Sequence, residues 1–209
     1  MVTIIAVAIV GYLLGSIPTG VWLGKTLKGI DLREHGSGSM GATNVFRVLG
    51  WRLAVLTLII DVAKGFLAAF IASKINLGDI ALLPRQLALI AGLTAIVGHL
   101  FPIFANFKGG KGIATGAGML LYLVPLELGF AVLVFILTVL ITRYVSLGSL
   151  LASAFLAMAI ILERYYLAYP HGDEMIVFVI ILFLAVLFTH RSNIKRLLNG
   201  SENKLGAKK

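Results

Sequence analysis

GHLFPIFANFKGGKGIATGAG, residues 98–118, is the stretch that decides how the chain folds. An apolar run ends at Phe107, Lys108 and Lys111 stand among Gly109, Gly110 and Gly112, and a second apolar run starts at Ile113. This pattern predicts a glycine-rich basic turn between two hydrophobic helices. Glycines let backbone N–H groups converge on a small oxyanion because no Cβ blocks the approach, and the amino end of the next helix adds its orphan donors and positive dipole. Lys108 and Lys111 add full charge. The G-x-x-x-x-G-K-[ST] spacing of the common phosphate loop is absent and no strand precedes the turn. Glycines that pack helices closely, with lysines marking one membrane face, would explain the same residues, so the rest of the chain has to decide.

The chain of 209 residues is 59% hydrophobic and only 13% charged. Its mean hydropathy of +1.01 excludes an ordinary soluble domain and makes it an integral membrane protein. With no cysteine there is no disulfide, thiolate nucleophile or sulfur-bound zinc. A net charge of +9 in such a chain points to lysines and arginines at one membrane face. Nucleic acid is not indicated, because no basic patch is interleaved with aromatics on a soluble face. The first ten residues lack a charged leader and a cleavage site, so they read as part of a retained span.

Residues 2–23, 54–73, 86–107, 147–167 and 175–189 are each apolar enough to be read as spans of a hydrocarbon core about 30 Å thick. Asp61 and Lys64 interrupt the second, three residues apart on one helical face, where they can neutralise each other; an intramembrane pair is a functional candidate by default, and here reads rather as a structural clamp or as support for the site. Residues 113–142 are too long for one span and are divided by Pro125, which predicts two short helices meeting there. Of the 18 lysines and arginines, all but Lys64, Lys74, Arg85 and Arg164 fall in loops that this arrangement puts on one side. The expected fold is therefore all-α: a polytopic membrane helix bundle of about seven helical segments, N-terminus outside and C-terminus cytoplasmic, forming a single domain over 1–209. The loop at 168–174 carries His171, Asp173 and Glu174 without lysine or arginine and is assigned to the outside.

Two further inner loops are polar in a patterned way. HGSGSMGATNVFR, residues 35–47, sets Ser37 among three closely spaced glycines and follows with Thr43, Asn44 and Arg47, a backbone nest with side-chain donors. HRSNIKR, residues 190–196, puts His190 and Asn193 three apart, able to face one pocket from a helix end. Together with the glycine–lysine turn, these loops read as one cationic polar bowl open to the cytoplasm. It suits a phosphorylated small molecule and an apolar chain arriving from the bilayer.

With these motifs in hand, GSGSMGATNVFR, GHLFPIFANFKGGKGIAT and HRSNIKRLLNGSE in that order, the chain resembles the bacterial membrane acyltransferases that use acyl phosphate to acylate glycerol 3-phosphate. The resemblance runs over nearly the full length. It implies a multi-pass protein of the cytoplasmic, or inner, membrane that moves a fatty acyl group to the 1-hydroxyl, releasing 1-acyl-glycerol 3-phosphate and phosphate. It further implies that Ser37 and Arg47 serve activity, that Lys108, Gly109, Gly110, Lys111 and Gly112 bind glycerol 3-phosphate, that His190 and Asn193 act in the third motif, and that Glu202 is structural.

The residues themselves suggest Arg47, Lys108 and Lys111 as the phosphate-holding cations and Ser37, Thr43, Asn44 and Asn193 as neutral donors. His190 is the candidate base, with a substrate phosphate oxygen as the other acceptor for the proton. No histidine is followed five residues later by aspartate, and no carboxylate is evidently placed to complete a triad with His190. No Asp/Glu/His cluster stands out in the sequence, so neither a metal nor another cofactor is expected. The oligomeric state is left open, a monomer being sufficient. A membrane transporter of organic phosphates competes with the enzyme, since broken helices and basic sites also serve anion passage. It would require polarity continuing to the outer face.

Overall fold

The computed structural model describes residues 1–169 and 171–206; Lys208 and Lys209, expected at the cytoplasmic face, lie outside the described residues, as does Pro170 of the expected outer loop. The described residues form α-helices, two short 3-10 turns and no strand. They group into two compact units, Met1–Leu123 and Val124–Lys209.

The first unit contains α1 (Val2–Gly15), α2 (Thr19–Lys28), α3 (Ala42–Leu49), α4 (Trp51–Ala72), α5 (Pro84–Leu100) and α6 (Ile113–Leu123). The first apolar run, expected as one continuous span, is broken after Gly15. Pro18 has no N–H to continue the ladder and stands at the cap of α2 with ψ of 68°. A broken helix at membrane depth frees carbonyls that need a donor, and Lys64 supplies it by donating to the Ile17 carbonyl at 2.9 Å. Lys64 lies 2.7 Å from Asp61, both side chains 2% exposed. Asp61 also accepts from the Thr19 hydroxyl at 3.2 Å. The clamp reading of this pair therefore acquires a specific object: it ties α4 to the break between α1 and α2.

Close helix approach organises the remainder of this unit. A Cβ on Gly15 would stand 2.0 Å from the Ala95 carbonyl oxygen, and one on Gly65 would stand 1.9 Å from that of Thr115. Only glycine lets α1 meet α5, and α4 meet α6, at this distance.

The second unit contains α7 (Pro125–Thr142), α8 (Val145–Tyr166), α9 (Asp173–Thr189) and α10 (Arg191–Leu198), with α10 bent 61° from α9. Of the two helices expected to be short, α6 is, with 11 residues or about 16 Å. The other is corrected: α7 has 18 residues, about 27 Å, and is apolar enough to span. Proline is well placed as its first helical residue, Val124 before it is pushed out of the helical region, and no second proline follows before Arg143 turns left-handed at φ 64°. The exterior of these helices is greasy, as in Leu140 and Ile141 at 72% and 82% exposure, which suits a lipid-facing surface.

Candidate active site

In the first unit the polar loop before α3 and the turn before α6 come together. Asp31 receives Arg33 through three bonds, from the backbone N–H at 3.1 Å, from Nε at 2.9 Å and from Nη2 at 2.6 Å. The same guanidinium reaches across and donates from Nη1 to the Ala105 carbonyl at 2.7 Å. Arg33 thus bolts the first loop to the second. Its side-chain hydrogen bonds, aided by its charge, hold the Asp31 carboxyl well below the usual carboxylate range, and Asp31 in turn raises the guanidinium. A cavity of about 310 Å³ opens beside this pair, lined by Asp31, Arg33, Glu34, Gly38, Asn106 and Lys108. That is at the small end of small-molecule sites, about 300–1,000 Å³.

Asn44 shapes the first loop. It is 1% exposed, its amide donates to the carbonyls of Leu32, His35 and Ser39 at 3.3, 3.0 and 2.8 Å, and its Oδ1 accepts from the Ser37 backbone N–H at 2.8 Å. The expectation that Asn44 donates to substrate is therefore corrected: its polar atoms are spent folding residues 32–44 around it, because a buried amide needs internal partners. Ser37 is left exposed beside Gly38 of the cavity wall. Thr43 is half-buried on α3, and Arg47 is exposed in the last turn of that helix.

The glycine–lysine turn is packed directly on the end of α5. The Gly110 N–H donates to the His99 carbonyl at 3.1 Å. A Cβ at 109 would lie 2.1 Å from that oxygen, and a Cβ at 110 would lie 2.3 Å from His99 Nε2. The other ring nitrogen of His99 is 3.1 Å from the Thr115 hydroxyl of α6. His99 therefore fixes the turn from beneath, and glycine is required at 109 and 110 for close approach. Gly112 has φ of 78° and delivers the chain into α6, whose first-turn N–H groups have no intrahelical acceptor. Lys108 is exposed and lines the cavity, whereas Lys111 is half-buried and lies off its wall. The cations at the cavity are Arg33 and Lys108, where the sequence pointed to Arg47, Lys108 and Lys111. Arg33 was missed because its signal, aspartate two residues before arginine, also describes an ordinary turn cap.

The third motif is organised within the second unit. His190 is 2% exposed, and its Nδ1 lies 2.9 Å from the Val186 carbonyl. A carbonyl only accepts, so Nδ1 carries the proton and Nε2 of the neutral ring is the basic nitrogen. A backbone oxygen thus orients the imidazole where a triad would use a carboxylate. Asn193 donates to Glu202 Oε1 at 2.7 Å, Ser146 donates to the same oxygen at 2.9 Å, and Arg196 Nε donates to Oε2 at 2.7 Å. Burial would push the Glu202 carboxyl up, but the Asn193, Arg196 and Ser146 donors together hold it below its ordinary value. Glu202 joins α8, α10 and the tail, in keeping with the structural role expected of it.

Residues 5–200 match the family model described as glycerol-3-phosphate acyltransferase. The glycerol-3-phosphate acyltransferase of Chlorobaculum tepidum is 42% identical over 226 aligned positions, covering 98% of this chain and 97% of that protein. Its counterpart from Chlorobaculum parvum shows the same identity and coverage. Among solved structures, the glycerol 3-phosphate form of PlsY (YgiH), an integral membrane glycerol 3-phosphate acyltransferase, superposes with a TM-score of 0.85 at 37% identity, covering 97% of this chain and 96% of that one. The lysophosphatidic acid form superposes with a TM-score of 0.83 at 35% identity, over 97% and 95%. With a helical membrane fold, three motifs in order and full-length similarity, this chain belongs to the glycerol-3-phosphate acyltransferase family.

Proposed function

We propose that this glycerol-3-phosphate acyltransferase takes its acyl group from acyl phosphate and delivers it to the 1-hydroxyl of glycerol 3-phosphate, at the cytoplasmic face of the cell membrane. The observation that carries the reading is the cavity shared by the Arg33-bearing loop and Lys108 of the glycine turn, a polar recess where Arg33, itself paired with Asp31, and the exposed Lys108 supply the cations beside Glu34. A phosphate fits that chemistry. Family membership displaces the phosphate transporter as a competing reading.

In the proposed step the 1-hydroxyl oxygen attacks the acyl carbonyl carbon, the carbon–oxygen bond to phosphate breaks, and inorganic phosphate leaves with the bonding pair. A mixed anhydride already has a good leaving group, so positioning and anion stabilisation supply most of the rate. Ser37, Thr43 and Arg47 of the first motif, Lys108, Gly109, Gly110, Lys111 and Gly112 of the second, and Asn193 of the third are proposed to hold the substrates. His190 Nε2 is proposed to take the hydroxyl proton. Its Nδ1–H bond to Val186 keeps the ring in the basic tautomer.

The test is purified protein with glycerol 3-phosphate and one of three donors: acyl phosphate, acyl coenzyme A or the acyl thioester of acyl carrier protein. Release of one phosphate per 1-acyl-glycerol 3-phosphate formed, from acyl phosphate alone, is expected. Turnover with a thioester and none with acyl phosphate overturns the donor assignment. His190→Ala is expected to lower kcat by about 10²-fold or more and to remove the acidic limb of the rate profile; retained turnover assigns the proton to a substrate phosphate oxygen.

A further inference from the structure

At the end of α7–α9 remote from the Glu202 cluster, three ionisable side chains from separate stretches converge. Glu127 lies in the first turn of α7, Glu163 near the end of α8, and His171 between α8 and α9. His171 Nε2 is 2.9 Å from Glu163 Oε2 and 3.7 Å from Glu127 Oε1. One donor atom from each residue lies within 4.8 Å of the other two. His171 is 1% exposed, and the side chain of Glu127 is 8% exposed.

Glu127 is the anomaly. Among the described residues no hydrogen bond reaches its carboxylate; the side chain is more than nine-tenths buried, and Oε1 faces the His171 imidazole at an ion-pair distance beyond hydrogen-bond range. A histidine shared with Glu163 explains that pair and leaves Glu127 unexplained. The positive end of α7 offsets part of its charge, but provides no ligand for its oxygens. Two carboxylates facing one imidazole also carry more negative charge than one protonated ring neutralises.

We propose that Glu127, Glu163 and His171 form a binding site for a divalent transition-metal ion of the zinc class. Bonds of about 2.0–2.1 Å in a tetrahedron place ligand atoms about 3.3 Å apart, and the separations of 2.9 and 3.7 Å bracket that value. The donor set of two carboxylate oxygens and one imidazole nitrogen, without sulfur, suits zinc and its neighbours. Tyr169 lies against the imidazole with ring centroids 4.7 Å apart and limits its rotation. Glu163, with its side chain 24% exposed, gives the ion an entry, and a water completes the fourth position. The ion would staple α7, α8 and the segment before α9 in a protein that has no disulfide. Ser146 of the Glu202 cluster and Glu163 sit 17 residues apart on α8, about 25 Å. The site therefore acts on stability and lies outside the acyl-transfer machinery. The sequence did not show this cluster, because 36 residues separate its two glutamates.

The experiment uses full-length protein in detergent, stripped with chelator and titrated with Zn²⁺ by calorimetry. One ion per chain, a rise in melting temperature on Zn²⁺ addition, and the visible absorption of four-coordinate Co²⁺ in the cobalt form are expected. Glu127→Gln should weaken Zn²⁺ binding by at least about tenfold, with acyltransferase turnover unchanged. His171→Ala should abolish both the binding and the cobalt absorption. Failure of the wild type to take up stoichiometric Zn²⁺ overturns the site. So does binding that Glu127→Gln and His171→Ala leave untouched, since the ion then sits elsewhere.

Discussion

Arg33 shows how much one side chain can carry. Its planar fork satisfies Asp31 with two nitrogens and the Ala105 carbonyl with the third, a geometry that the single ammonium of lysine cannot reproduce. Arg33→Lys should raise KM for glycerol 3-phosphate by about tenfold, equivalent to about 1.4 kcal/mol, while kcat changes little. Steady-state kinetics decides this; an unchanged KM would mean that the two loops keep their register without the fork. Gly110 is the complementary case, a residue defined by what it lacks. Gly110→Ala would drive a methyl group into the His99 imidazole, 2.3 Å from Nε2. It should abolish measurable glycerol 3-phosphate binding while far-UV circular dichroism stays that of the wild type.

Among the elements, the most exacting is the break between α1 and α2. Its cost is a bare carbonyl at Ile17, and Lys64 meets that cost only because Asp61 neutralises it. Removing one partner strands the other as a buried charge, a loss of about 3–5 kcal/mol. Lys64→Met and Asp61→Asn should each lower the melting temperature sharply, and the double variant should lose less than the sum of the two. Additive losses in this double-mutant cycle would show that the pair does not act as a unit. The loop before α3 is built on the same logic around Asn44, whose four bonds make residues 32–44 a defined object.

Over the whole molecule, the carboxylates outside the membrane give stability a pH dependence. Asp31 and Glu202 are both held below their ordinary values in the folded protein, so the unfolded chain binds their protons first as pH falls. Their contribution is complete well above about pH 4, the ordinary carboxylate range, and is lost as pH falls through the depressed native values. The melting temperature should therefore hold near neutrality and drop on acidification below about pH 4. Glu202→Gln should melt lower than the wild type at pH 7 and show a smaller drop on acidification from about pH 4 to about pH 2. An identical drop in both proteins would remove Glu202 from the acid response.

Much of this was legible in the residues alone. Hydropathy settled the all-helical membrane fold because every backbone group in hydrocarbon has to be satisfied within its own helix, and the runs at residues 54–73, 86–107, 147–167 and 175–189 became α4, α5, α8 and α9, with ends shifted by three residues or fewer except that α5 stops at Leu100. The three motifs were also visible, since glycine density and clustered polar residues are properties of a short stretch. What only the tertiary structure decided are relations between distant stretches: that Asn44 is spent on its own loop, that Arg33 reaches Ala105, that Lys64 serves a broken helix 47 residues away, and that Glu127 meets His171. A linear pattern records which donors and acceptors a segment brings. Which of them are consumed inside the fold, and which remain for a ligand, depends on neighbours that only packing supplies.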